Sequence, residues 1–138
     1  MKTTRKLAAA ATTAALGLSV LTASPAEAGV TRSFSESASD GSASWGTITF
    51  SNYSWSVDAY IYRDSNATIT LEVCGHQTLN NGSWGLLTCK SASNGGSIGS
   101  TRHVTTLSGS ADWAKVGMVT TYLYVNGVYA DGDWNYAF

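Results

Sequence analysis

The stretch Gly117–Tyr136 reads GMVTTYLYVNGVYADGDWNY, and its reading decides the fold. Asn126-Gly127 stands at its centre, flanked on both sides by alternating Val, Tyr and Leu. A two-residue type I′ turn needs positive φ at both central positions, which Asn-Gly tolerates best, so the dipeptide predicts a β-hairpin. Symmetric pairing about it opposes Val125 to Val128, Leu123 to Ala130, Val119 to Trp134 and Gly117 to Tyr136. That face is apolar and is expected to be core. The other face opposes Tyr124 to Tyr129, Tyr122 to Asp131 and Thr120 to Asp133, an aromatic and acidic surface. A slip of one residue would exchange the two faces, so the register matters for everything that follows.

The same symmetry argument applies twice more upstream. Cys74 and Cys89 have their midpoint at Asn81-Gly82, inside the turn-like run Asn80-Asn81-Gly82-Ser83. A hairpin there places the two cysteines opposite each other, about 4.5–5.5 Å apart at Cα, within disulfide range. A metal or redox pair is the rival, but there is no CxxC and only His76 lies nearby. A turn at Asn52-Tyr53 opposes Phe50 to Trp55 and Ile48 to Val57. Its outer face then holds Thr47, Thr49, Ser56 and Asp58, with Trp45 across from Tyr60. Ile69, Leu71 and Val73 continue the alternation.

The expected strands are 45–51, 55–63, 67–77, 84–90, 101–108, 114–125 and 128–137, with an extra one near 31–38. Ser91 to Ser100 is rich in Gly, Ser and Asn and reads as a rim loop. Seven or eight short strands predict an all-β domain, a small antiparallel β-sandwich with one hairpin disulfide. In size and class it resembles small bacterial secreted sandwiches such as the enediyne-carrier apoproteins.

The chain opens with a secretion signal pattern. Lys2, Arg5 and Lys6 precede an uncharged run from Leu7 to Ala23, and Ala26-Glu27-Ala28 offers a small-x-small cleavage site. The alternative, a membrane anchor, is disfavoured by the shortness of the run and its Thr and Ser content. The Ala/Thr-rich style resembles signals of high-GC soil bacteria of the Streptomyces type. Residues 1–28 are therefore expected to be removed, leaving 29–138 as a single secreted domain. That domain carries five basic and eight acidic side chains, a net charge of −3, with no basic run. Electrostatic binding to nucleic acid or an anionic membrane is not implied. Export makes a Cys74–Cys89 disulfide the default.

Motifs for catalysis are lacking: no HExxH, GxSxG, P-loop or zinc spacing occurs. His76 and His103 read as strand residues facing solvent. Asp131 and Asp133, on one strand face roughly 6.5–7 Å apart, have a spacing that suits calcium or a glycosidase pair, though a solvated edge explains them as well. The sequence points to a non-catalytic protein with no cofactor and no metal.

Aromatic residues exceed what so small a core can hide: five Trp, seven Tyr and three Phe. Two outer clusters are expected to form partner-binding surfaces, Trp45 with Tyr60, and Tyr122, Tyr124 and Tyr129 with Asp131 and Asp133. Cross-strand pairing for stability is the competing reading. The segment Gly29–Gly41 is polar apart from Val30 and Phe34 and is expected to be loosely held, with Phe34 as a docking anchor; an edge strand of the domain's own sheet is the alternative. The expected function is docking on another secreted or cell-surface protein. The domain would serve as an adaptor subunit of an exported, antibacterial toxin-type assembly or as an inhibitor of a secreted enzyme. Carbohydrate binding is the alternative, and a small hydrolase a more distant one.

Overall fold

The computed structural model describes residues 29–79, 81–111 and 115–138. The expected signal, residues 1–28, lies outside the described residues. So do Asn80 of the expected disulfide turn and Ala114 at the start of an expected strand. Among the described residues the chain is all-β, with strands β1 (Val30–Ser37), β2 (Ala43–Phe50), β3 (Ser54–Tyr62), β4 (Ile69–Thr78), β5 (Trp84–Asn94), β6 (Thr101–Val104), β7 (Ser108–Ser110), β8 (Met118–Val125) and β9 (Val128–Tyr136). They form two antiparallel sheets. One runs β1-β2-β3-β6, with the short β7 also on β3; the other runs β5-β4-β8-β9.

Alternation builds the core. Trp55, Val57, Ala59 and Ile61 of β3 face inward and are buried, while Ser56, Asp58 and Tyr60 between them are exposed. Ile48 and Phe50 extend that layer, and Ile69, Leu71, Val73, Val119 and Leu123 meet it from the other sheet. Period-2 burial on facing sheets is the simplest way for strands this short to hide an apolar surface.

The β2–β3 register pairs Phe50 with Trp55, Ile48 with Val57 and Trp45 with Tyr60, as the alternation predicts. Cys74 and Cys89 are direct partners across β4 and β5 and form a disulfide, with Cα atoms 4.1 Å apart. The bond closes a sequence separation of 15 residues. In the chain-entropy picture, a loop of that size stabilises the fold by roughly 3 kcal/mol. A Cys74→Ala/Cys89→Ala variant should therefore unfold at lower denaturant by about that free energy, and the intact protein should show no titratable thiol. Two thiols in freshly purified material would contradict the pairing.

Three sequence expectations need correction. The first concerns β9. Asn126 (φ 49°) and Gly127 (φ 78°) form the expected turn, and Tyr124 pairs with Tyr129. The register then shifts: Leu123 meets Asp131 rather than Ala130, and Thr120 meets Trp134. Ala130 is the extra residue of a β-bulge, and every side chain beyond it changes face. Trp134, expected in the core, is 56% exposed, and Asp131 and Asp133 turn inward. The second concerns β1. Its eight residues pair along the whole of β2, and Phe34 is 4% exposed in the core, so this segment is an integral edge strand and Phe34 is no surface anchor. The third concerns 91–94, where β5 runs on into the expected loop by pairing with Ile69 to Glu72. Asn94 ends it, its buried amide donating to the Ile61 and Ser100 carbonyls at 2.9 and 3.0 Å.

Candidate functional site

The β-bulge at Ala130 creates the most conspicuous surface of the molecule. On the outer side of the four-stranded sheet, Met118 pairs with Tyr136 and Thr120 with Trp134. Met118 and Thr120 are buried although they lie on the outer side, in the middle of the sheet between β4 and β9. Trp84 of β5 reaches Tyr136 at 5.9 Å between ring centroids, and Tyr136 reaches Phe138 at 5.6 Å. Leu86, Trp134, Tyr136 and Phe138 remain exposed. Side chains of this kind on one rigid sheet face form a contiguous apolar strip, which a soluble domain seldom leaves open without a use. None of them is charged. Sequence reasoning missed this strip because it hangs on the bulge. The run Asp131-Gly132-Asp133 was the available signal, since a β carbon on Gly132 would stand 3.0 Å from both the Tyr122 ring and the Tyr129 hydroxyl.

The tyrosine cluster of the same face forms as the sequence predicts, without its acids. Tyr122, Tyr124 and Tyr129 pack edge to face with centroids 6.1 to 6.5 Å apart. Tyr124 donates to Glu72 Oε1 at 3.3 Å, and its pKa is raised by burial and by the Glu72 charge. Asp131 points to the seam where β9 meets β1 and accepts the Ser37 N–H at 3.0 Å. There it faces Glu36, a fully buried carboxyl that accepts the Ser44 hydroxyl at 2.8 Å. Burial, with the Asp131 and Asp133 charges adding to it, pushes the Glu36 pKa up to about 7.

The second expected cluster lies on the outer side of the five-stranded sheet. Trp45 stacks on Tyr60 at 5.8 Å and Tyr60 on His103 at 4.4 Å, one ring from each of β2, β3 and β6. His103 Nε2 lies 2.6 Å from Asp58 Oδ1.

His76 sits half-buried against the Thr120 hydroxyl at 3.0 Å, and burial lowers its pKa, which favours the neutral imidazole. Glu72, Cys74 and Cys89 come together closely enough to suit a metal, but the two sulfurs are bonded to each other and offer no thiolate. Comparison with protein-family models, with curated proteins and with solved structures found no match to this chain.

Proposed function

We propose that this domain is a secreted, non-catalytic docking module that binds another exported protein through the outer face of its four-stranded sheet. It would act as a small adaptor subunit of an exported assembly, of which antibacterial toxin complexes are one setting, or as an inhibitor of a secreted enzyme. The observation that carries this reading is the composition of the strip from Trp84 through Tyr136 to Phe138 and Trp134. Its centre is aromatic and uncharged, and charges at its margin are engaged, Glu72 by the Tyr124 hydroxyl and Arg32 with the Tyr136 carbonyl. An apolar, aromatic centre with charge at the margin is the anatomy of a protein–protein contact. The bulge turns Asp131 and Asp133 away from this face, so they are not there to take sugar hydroxyls beside these rings. The disulfide is consistent with an extracellular setting.

The test compares two tryptophans on opposite sheets. A partner captured from culture supernatant and identified should lose at least about 30-fold in affinity on Trp134→Ala, as an interface-centre Trp contributes about 2 kcal/mol or more. Trp45→Ala should leave that affinity within about twofold. Equal retention by both variants would sink the reading. A concentration-dependent dimer that Trp134→Ala abolishes would replace it with self-association.

A further inference from the structure

The edge of the sandwich away from the β1–β9 seam is open. β7 contributes only Ser108-Gly109-Ser110 there, paired with Ser56, Trp55 and Ser54 of β3. Across the gap, β5 presents Thr88 and Lys90, partners of Gly75 and Val73 and so directed toward the space between the sheets. A cleft of about 530 Å³ results. Its volume is that of a small-molecule site. Gly109 packs directly on its neighbours at the floor of the cleft: a β carbon there would lie 2.7 Å from Thr88 Cγ2 and from the Trp55 ring, so no side chain fits at this point. Trp55 itself is buried beneath.

The lining is dominated by hydroxyls, those of β2, β3 and β7 from the outer face of the five-stranded sheet, with Thr88 and Lys90 reaching it from the edge strand β5. Ser54, Ser56, Ser108 and Ser110 stand as two cross-strand pairs. Thr49, Ser51 and Thr88 add three more hydroxyls, and Lys90 adds the one charge. Ser51 and Ser54 bond each other at 2.5 Å. Among the described residues, the Ser56, Thr88, Ser108 and Ser110 hydroxyls have no hydrogen-bond partner and Lys90 has no ion pair. A hydroxyl both donates and accepts, so a comb of them matches another polyol whatever the direction of each bond. The lysine adds a preference for an anion.

We infer that this cleft binds an acidic saccharide unit, its hydroxyls on the serine and threonine comb and its carboxylate or phosphate on Lys90. Thr49 and Ser56 share an outer face with Trp45 and Tyr60, four residues further along β2 and β3, roughly 13 Å at ordinary strand rise. An oligosaccharide anchored in the cleft therefore reaches the Trp45 ring. The site shares no residue with the docking strip, so it stands or falls independently of that proposal.

Lys90 has a competing explanation, since an inward-pointing lysine on an edge strand deters edge-to-edge association. The experiment separates the two. The secreted protein is titrated, with amide and indole N–H shifts as readout, with glucuronic acid, a sugar phosphate, glucose, inorganic phosphate and an acidic tetrasaccharide. The acidic sugars should move the Ser108, Gly109 and Trp55 signals at lower concentration than glucose or phosphate alone, and whichever acid binds tighter identifies the anion. Lys90→Gln should weaken the acidic sugars about fivefold, the upper range for one exposed ion pair, and leave glucose unchanged. Trp45→Ala should weaken the tetrasaccharide and spare the monosaccharides. Glucose binding as well as glucuronic acid, or inorganic phosphate reproducing the shifts of the acidic sugars, overturns the proposal. So does a Lys90→Gln variant that associates with itself while sugar shifts stay unchanged.

Discussion

Trp55→Ala should destabilise the domain by roughly 3–5 kcal/mol, the range for emptying a large aromatic core site, whereas Trp134→Ala should cost less than about 1 kcal/mol. Both residues occupy aromatic positions on hairpin strands, and the sequence alone places both inward. The structure separates them. Trp55 is 2% exposed, and its ring is wedged between two glycines: a β carbon on Gly75 would stand 2.4 Å from its Nε1, and one on Gly109 2.7 Å from its Cε2. The two glycines leave the space that the indole fills. Trp134 is 56% exposed, and its loss removes mainly surface contacts of the size of a cross-strand pair. Denaturant titration of both variants settles the comparison. A Trp134→Ala midpoint as depressed as that of Trp55→Ala would mean that β9 has no bulge.

These two tryptophans also show what could be read from the chain and what could not. Local symmetry was legible. The Phe50–Trp55 and Cys74–Cys89 pairings, and the Tyr124–Tyr129 pair nearest the Asn126-Gly127 turn, follow from alternation and turn chemistry within one hairpin each. A bulge breaks that logic, because one unpaired residue leaves composition unchanged and inverts every face beyond it. Ala130 did this in β9, and a second shift between Gly75 and His76 did it in β4–β5. Position in the sheet was also hidden. β1 has Phe34 as its one large apolar side chain and reads as a polar tail, yet its pairing with β2 and its contact with β9 make it the closing edge of the sandwich. Of the expected partner-binding residues, Trp45, Tyr60, Tyr122, Tyr124 and Tyr129 lie on outer faces, while Phe34, Asp131 and Asp133 do not. Glu36 lies within the segment expected to be loosely held and is buried in the fold because of where β1 docks.

That buried carboxyl gives the last expected result: Glu36→Gln should stabilise the protein by up to about 3 kcal/mol at pH 8 and by little below pH 4.5. Glu36 faces Ser44 on β2, Thr121 on β8 and the carboxylates of Asp131 and Asp133 on β9. Only the Ser44 hydroxyl reaches it in good hydrogen-bond geometry; its Oε1 and the Thr121 hydroxyl are both buried without a partner among the described residues. Burial, helped by the two aspartates, holds its folded pKa at about 7, against 4.5 for a free side chain. The folded state therefore keeps a proton that the unfolded chain releases. The contribution is complete below about pH 4.5, declines between 4.5 and 7, and is gone above 7, where the folded protein must carry a buried charge. At about 1.4 kcal/mol per pH unit the interval amounts to about 3 kcal/mol. His76 works in the opposite sense, since its lowered pKa adds stability as pH rises toward 6.5, but it is common to both proteins and cancels in the difference. Glutamine keeps the shape and cannot ionise, so the gap between the two stability curves should open through pH 4.5–7 and then stay level. Parallel curves across that range would show that the seam between β1 and β9 admits enough water to solvate the carboxylate.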